Sequence, residues 1–134
     1  MATTRRIRAT PEANYPKRGD IYLTSFDPTV GREIKKTRPA LIVQNDVSNR
    51  LSWMTIVAPI TSTIQFPLNP VYVLLSADDR TGLLVTSVAL LSQIRAVDRI
   101  RLIKLIGAVD RETLERVDEA IRISLGLTPL FRII

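Results

Sequence analysis

Arg38 stands directly before Pro39, at the end of a loop that also carries Arg32, Glu33, Lys35 and Lys36. Four cations around one carboxylate suit a polyanion. Among them Arg38 has the best fixed backbone, because Ala40-Leu41-Ile42-Val43 begins just beyond it and reads as a buried strand. A guanidinium can hold two phosphoryl oxygens at once, which an ammonium cannot imitate. Thr61 and Ser62 offer hydroxyls at the end of another apolar run, Met54–Ile60. Gln93 and Ser87 lie on a third, and an amide such as Gln93 presents a donor and an acceptor to a base edge.

Composition narrows the chemistry. The chain of 134 residues has no histidine and no cysteine. Imidazole acid/base catalysis, thiolate nucleophiles, disulfides and thiolate zinc sites are therefore excluded. Hydroxyls, carboxylates, amides and cations remain. The net charge is +6, and residues 1–50 hold 10 Lys/Arg against 5 Asp/Glu. Basic charge gathered in one half fits a nucleic-acid or acidic-protein partner, although solubility alone would also require charge. No apolar run approaches a membrane span. Residues 1–16 are expected to form a flexible arm without a signal-peptide core.

The elements that position these residues are short. Strands are expected at Ile21–Phe26, Ala40–Val43, Met54–Ile60 (broken near Pro59), Pro70–Leu75 and Arg101–Val109. Ser87–Val97 is expected to be one long strand. Asn45–Ser52 is rich in turn residues, with room for a helical turn. Asp110–Leu125 is the one strong helix: Asp110 is its N-cap, Leu114, Val117, Ile121 and Leu125 form its apolar face, and Gly126 follows its end. About six short strands with one late helix make a small, strongly curved barrel closed by that helix, a mainly β fold.

Several signatures occur in order. Arg18-Gly19-Asp20 is followed by Asp27-Pro28-Thr29-Val30-Gly31-x-Glu33-x-Lys35-Lys36-x-Arg38-Pro39-Ala40 and Gln44-Asn45-Asp46. Ala58–Ser62, Ser87–Asp98 and the helix with Val117–Ala120 and Ser124–Leu127 come later. Together they resemble the MazF/PemK/Kid toxins over residues 17–127, with 128–134 as a tail beyond the family core. The resemblance implies an SH3-like barrel of the CcdB/PemK type and a cytoplasmic homodimer. It further implies an endoribonuclease that cuts single-stranded RNA within short sequences, needs no metal or other cofactor, and inhibits translation and growth. Its partner would be a MazE-like antitoxin, acidic in its inhibitory segment, occupying the RNA groove.

The family's catalytic arginine and threonine fall on Arg38 and Thr61. Without metal, the substrate's 2′-hydroxyl attacks the neighbouring phosphorus, leaving a 2′,3′-cyclic phosphate and a 5′-hydroxyl. The site must stabilise the phosphorane and move two protons. Arginine keeps its proton too tightly to be a good base. Charge stabilisation therefore suits Arg38, and positioning suits Thr61 unless its hydroxyl only caps a turn. Glu33 is either a base toward the 2′-hydroxyl or an ion-pair partner of Arg32, Lys35 or Lys36. Lys35, Lys36, Ser62, Gln93 and Ser87 are the RNA-binding candidates; Gln93 is alternatively an amide bracing its strand. Trp53 and Phe66 flank the third strand and suit either base stacking or packing. Two other readings stay open: a gyrase-poisoning protein of the CcdB branch, whose terminal Trp-Gly-Ile is absent here, and a basic nucleic-acid-binding barrel without chemistry.

Overall fold

The computed structural model describes residues 10–27, 31–33 and 36–129. Seven strands form one antiparallel sheet: β1 (Asp20–Ser25), β2 (Thr37–Ile42), β3 (Met54–Thr61), β4 (Tyr72–Leu75), β5 (Ser87–Leu90), β6 (Arg95–Asp98) and β7 (Leu102–Ala108). Their order is β4-β5-β3-β2-β1-β7, with β6 paired to β3. A short helix α1 (Asp46–Leu51) links β2 to β3, and α2 (Arg111–Ser124) ends the fold.

Alternation along β2 and β3 divides the apolar residues between two cores. Leu41, Ala58 and Ile60 point to the larger one, with Ile21, Val73, Leu75 and Leu91, beneath Val117 and Ala120 of α2. Ala40, Ile42 and Val57 point the other way, to a smaller cluster with Phe26 and Val97. The ladder does not close from β4 to β7. The turn after β4 bridges part of that gap, where the Ala108 amide donates to the Arg80 carbonyl at 2.9 Å. Two glycines permit the approach. A Cβ at Gly82, whose φ is +69°, would fall 1.9 Å from the Ile106 carbonyl oxygen, and one at Gly107 would fall 2.2 Å from that of Thr81.

Helix α2 begins as its sequence dictates. The Asp110 carboxylate accepts from the Thr113 amide at 2.8 Å, which holds its pKa below the ordinary carboxylate value through hydrogen bonds to Thr113. Leu125 departs from the expected apolar face. It occupies the C-cap and is exposed, while Ala120 fills the contact with the core. The helix ends one step before the periodicity does.

Ser87–Val97 is not one strand. It breaks at a 3-10 turn over Leu91–Gln93. Leu91 is buried in the larger core, and its carbonyl accepts from the Ser124 hydroxyl of α2. The segment pairs with the far end of β3 before the break (Ile60 with Ala89) and with its near half after it (Val57 with Arg95). The polar pair Ser92-Gln93 falls at the corner, but such a pair does not by itself distinguish a bend from a continuing strand. β3 itself runs through Pro59, which pairs with Ala40 of β2 and, on its other side, falls between the β6 and β5 ladders. Residues 45–52 do form a helical turn, α1, with the Asn45 side chain accepting from the Ser48 amide.

The signatures Arg18-Gly19-Asp20 and Gln44-Asn45-Asp46 are structural. The Arg18 guanidinium donates to Asp118 of α2 at 2.7 Å and to the Val43 carbonyl at 2.8 Å, while its amide donates to Asp46 at 2.7 Å. Asn49, fully buried, accepts from Gln44 and Thr55 and donates to the Gln44 carbonyl. These bonds join β1, β2, α1 and α2, and they leave the chemistry to other residues. Of the first sixteen residues, 10–16 rest on the body, where Arg99 donates to the carbonyls of Pro11 and Ala13. Residues 1–9 and the end of the tail, 130–134, lie outside the described residues.

Candidate nucleic-acid cleavage site

The β2–β3 ladder pairs Ala40 with Pro59, Leu41 with Ala58 and Ile42 with Val57. Continued by two residues, the same register sets Arg38 opposite Thr61. Both then belong to the face that bears Ala40 and Pro59, the side of the smaller core. Arg38 is also braced from its other side, opposite Thr24 of β1, and both Arg38 and Thr61 are half-buried. The Thr61 hydroxyl accepts from the Thr63 amide at 3.2 Å. That bond is the turn cap foreseen for it, yet it leaves the hydroxyl hydrogen as a donor.

Two hollows lie near these strand ends, one lined by Pro59 of β3 and the other by Arg38 itself. One, of about 560 Å³, is lined by Arg32, Glu33, Pro59, Gln93 and Arg95. It joins two residues singled out in the sequence, Glu33 and Gln93, with two cations that were not, Arg32 as a ligand and Arg95. The second, also about 560 Å³, is lined by Lys36, Arg38, Ser62 and Ser87 together with the exposed Leu84 and Val85. Arg38 thus lines the second hollow and not the first. Ser87 is buried, and its hydroxyl donates to the Val85 carbonyl at 2.9 Å. Its hydrogen is engaged, and it serves the second hollow as a wall. Lys35 lies outside the described residues.

The loop that carries Glu33 is fastened at both ends. The Phe26 amide donates to the Lys36 carbonyl at 2.9 Å, and the Lys36 amide donates to the Asp27 carboxylate at 3.0 Å. Lys36 adopts φ +69°, a left-handed conformation uncommon outside glycine. From β7's approach, Arg101 donates to the carbonyls of Ser25 and Asp27. Arg101 was not a sequence candidate, since nothing local ties it to a loop seventy residues earlier. Arg95 had a detectable signal: it follows Gln93 by two residues, the strand period that puts both on one face. Its guanidinium sits 5.7 Å from the centre of the Phe26 ring.

Fold and site define a small antiparallel β barrel that turns one cationic, hydroxyl-bearing face outward, a face suited to a phosphodiester. Residues 17–125 match the family of PemK-like, MazF-like toxins of type II toxin–antitoxin systems. The chain belongs to that family. It is 46% identical over 111 residues to the endoribonuclease EndoA of Bacillus subtilis, spanning 83% of this chain and 95% of that protein. The crystal structure of MazF from Deinococcus radiodurans superposes with a TM-score of 0.72 at 26% identity, covering 84% of this chain and 97% of the other. An endoribonuclease in complex with its cognate antitoxin, from a mycobacterial species, shares the fold with a TM-score of 0.70 at 24% identity over 84% and 97% of the two chains.

Proposed function

We propose that this toxin is an endoribonuclease that cleaves single-stranded RNA within short recognition sequences, without a metal ion. The 2′-hydroxyl attacks the adjacent phosphorus, the bond to the 5′-oxygen breaks, and the products carry a 2′,3′-cyclic phosphate and a 5′-hydroxyl. The observation that carries this reading is the placement of Arg38 and Thr61 at adjoining ends of the paired strands β2 and β3, where Pro59 of β3 also lines a hollow with Arg32, Glu33, Gln93 and Arg95. The resemblance to EndoA supports it.

Arg38 holds the non-bridging oxygens and meets the charge that grows on them in the phosphorane. Thr61 donates its remaining hydrogen to one of those oxygens. Glu33 takes the proton of the 2′-hydroxyl, and a proton from solvent water completes the departing 5′-oxygen as a hydroxyl. Lys35 and Lys36 hold the RNA backbone, with Ser62 beside them, and Gln93 reads a base edge. The toxin acts as a homodimer and is held inactive by an acidic antitoxin; structures named as MazE–MazF from Deinococcus radiodurans support such a pairing.

The test is purified protein with single-stranded RNA and excess chelator, followed by end-group analysis. Cyclic-phosphate and 5′-hydroxyl ends are expected. Binding without cleavage would instead favour a passive nucleic-acid-binding barrel. In single turnover, Arg38→Lys should fall nearly as far as Arg38→Ala; near-full activity in the lysine variant overturns the two-oxygen clamp. Glu33→Gln should remove the acidic limb of the pH–rate profile, and an unchanged limb removes Glu33 as the base.

A further inference from the structure

The face that carries Thr61 and Pro59 continues along β3 through Val57 and Thr55 to Trp53, at the strand's opposite end. The paired strand β6 adds Arg95 across from Val57 and Val97 across from Thr55, and Arg99 follows. From Thr61 to Trp53 this line measures about 26 Å at the usual rise of a strand. It ends in a third hollow, of about 520 Å³, whose walls include Asn14, Pro16, Tyr22, Trp53 and Arg99.

We propose that this hollow is a stacking subsite for an unpaired nucleotide of the RNA, several residues from the scissile bond. The proposal rests on the RNA-cleaving reading of the Arg38 end. Trp53 is 45% exposed, so its indole is open to a flat partner. The Arg99 guanidinium lies 4.9 Å from the centre of that ring. It is fixed there by donating to the carbonyls of Pro11, Ser52 and Ala13. Those partners are neutral, and among the described residues no carboxylate pairs with Arg99. The Asp98 carboxylate, at the same hollow, accepts from the Ile100 amide. A neutral phenol completes the wall, since burial pushes the Tyr22 pKa upward.

An aromatic surface beside a guanidinium whose hydrogen-bond partners are neutral, with the Asp98 carboxylate engaged by the Ile100 amide, matches the two parts of a nucleotide, a base to stack and a phosphate to neutralise. Arg38 and Arg95 add cations nearer the cleavage end, separated from Arg99 by the buried Val57, Thr55 and Val97, and several guanidiniums spaced along the body favour a strand of RNA over an isolated aromatic side chain of an acidic peptide. Asn14 and Pro16 precede the family-matched residues 17–125, so this subsite is partly built by the chain's own N-terminal segment.

Trp53 is the single tryptophan of the chain, so its fluorescence reports on this hollow alone. The experiment titrates the full-length protein with oligonucleotides whose scissile 2′-hydroxyl is replaced by hydrogen. One covers only the cleavage sequence; two others extend it by several nucleotides on the 5′ or the 3′ side. One extended oligonucleotide should quench Trp53 and bind roughly five- to a hundred-fold tighter than the short one. Trp53→Phe should keep that advantage and Trp53→Ala should lose it, with cleavage of the short RNA unchanged in both. Equal affinities for all three with no quenching overturns the subsite, as does quenching by an acidic phenylalanine-containing peptide but by none of the RNAs. The two readings fail separately: if wild-type protein leaves the unmodified short RNA uncut, the nuclease reading has failed, whereas cleavage without any benefit of length defeats only the stacking subsite.

Discussion

The two faces of β2 and β3 are equally apolar at their centres and differ completely in what lies over them. On one side Leu41, Ala58 and Ile60 meet helix α2, and the larger core is sealed. On the other, Ala40, Ile42 and Val57 meet Phe26 and Val97. Beside that smaller core stand Arg95, Trp53 and Arg99, and the β2–β3 register brings Arg38 and Thr61 to its edge. The helix-covered face gives the barrel its stability. The other face is covered by Phe26, Val97, Tyr22 and Leu102, and its cations stand half-buried at the margin of that small core. Polar residues begin where the strands end, which is why both candidate catalytic side chains lie at strand termini.

Substitutions can separate the faces. Leu41→Ala should have the largest effect on folding, about 2–5 kcal/mol for a cavity in a sealed core, read by chemical denaturation; a loss much below 1 kcal/mol would mean that the helix-covered core is not the stabilising one. Arg38→Ala should leave the denaturation midpoint nearly unchanged while cutting the single-turnover rate by roughly 10²–10³-fold, the scale of removing one oxyanion donor. Loss of stability in step with activity would erase the distinction between the faces. Arg18→Ala should cost about 1–2 kcal/mol, since its bonds to Asp118 and Val43 are only partly shielded from solvent, with the cleavage rate of the folded protein preserved.

Smaller effects sharpen the comparison further. Replacing Lys35 and Lys36 together with alanine should weaken RNA binding and reduce the slope of log affinity against log salt by about 1–2. An unaltered slope would confine the RNA to the remaining cations. The smallest effect concerns the helix cap. The Asp110 pKa is lowered in the folded state, so its stabilising contribution is complete above the unfolded value and disappears as pH falls through the folded one. Melting temperature should drop across that acidic window, and Asp110→Asn should flatten this part of the profile. A profile identical to wild type would show that other carboxylates govern it.

Periodicity and cap chemistry alone make helix α2 legible from Asp110 onward, because a helix's start depends on residues within one turn. Most strands were legible for the same reason. The corner at Leu91–Gln93 was not, because two polar residues, Ser92 and Gln93, fit an exposed strand position as well as a bend, and the chain turns there to change partners along β3. The motif residues divide in a way their spacing conceals: Arg18, Gln44, Asn45 and Asp46 hold elements together, while Arg38 and Thr61 share a face through register. Gln93 and Arg95 joined Arg32 and Glu33 only in three dimensions.

The amino-acid order by itself determined the available chemistry. A chain without histidine or cysteine has guanidinium, hydroxyl, amide and carboxylate groups to work with, and its strand and helix patterns are written in local spacing. The tertiary structure decided which of those groups share a surface. Side-chain direction alternates at each residue of a strand, so membership of a face follows from long-range pairing that no local window of residues contains.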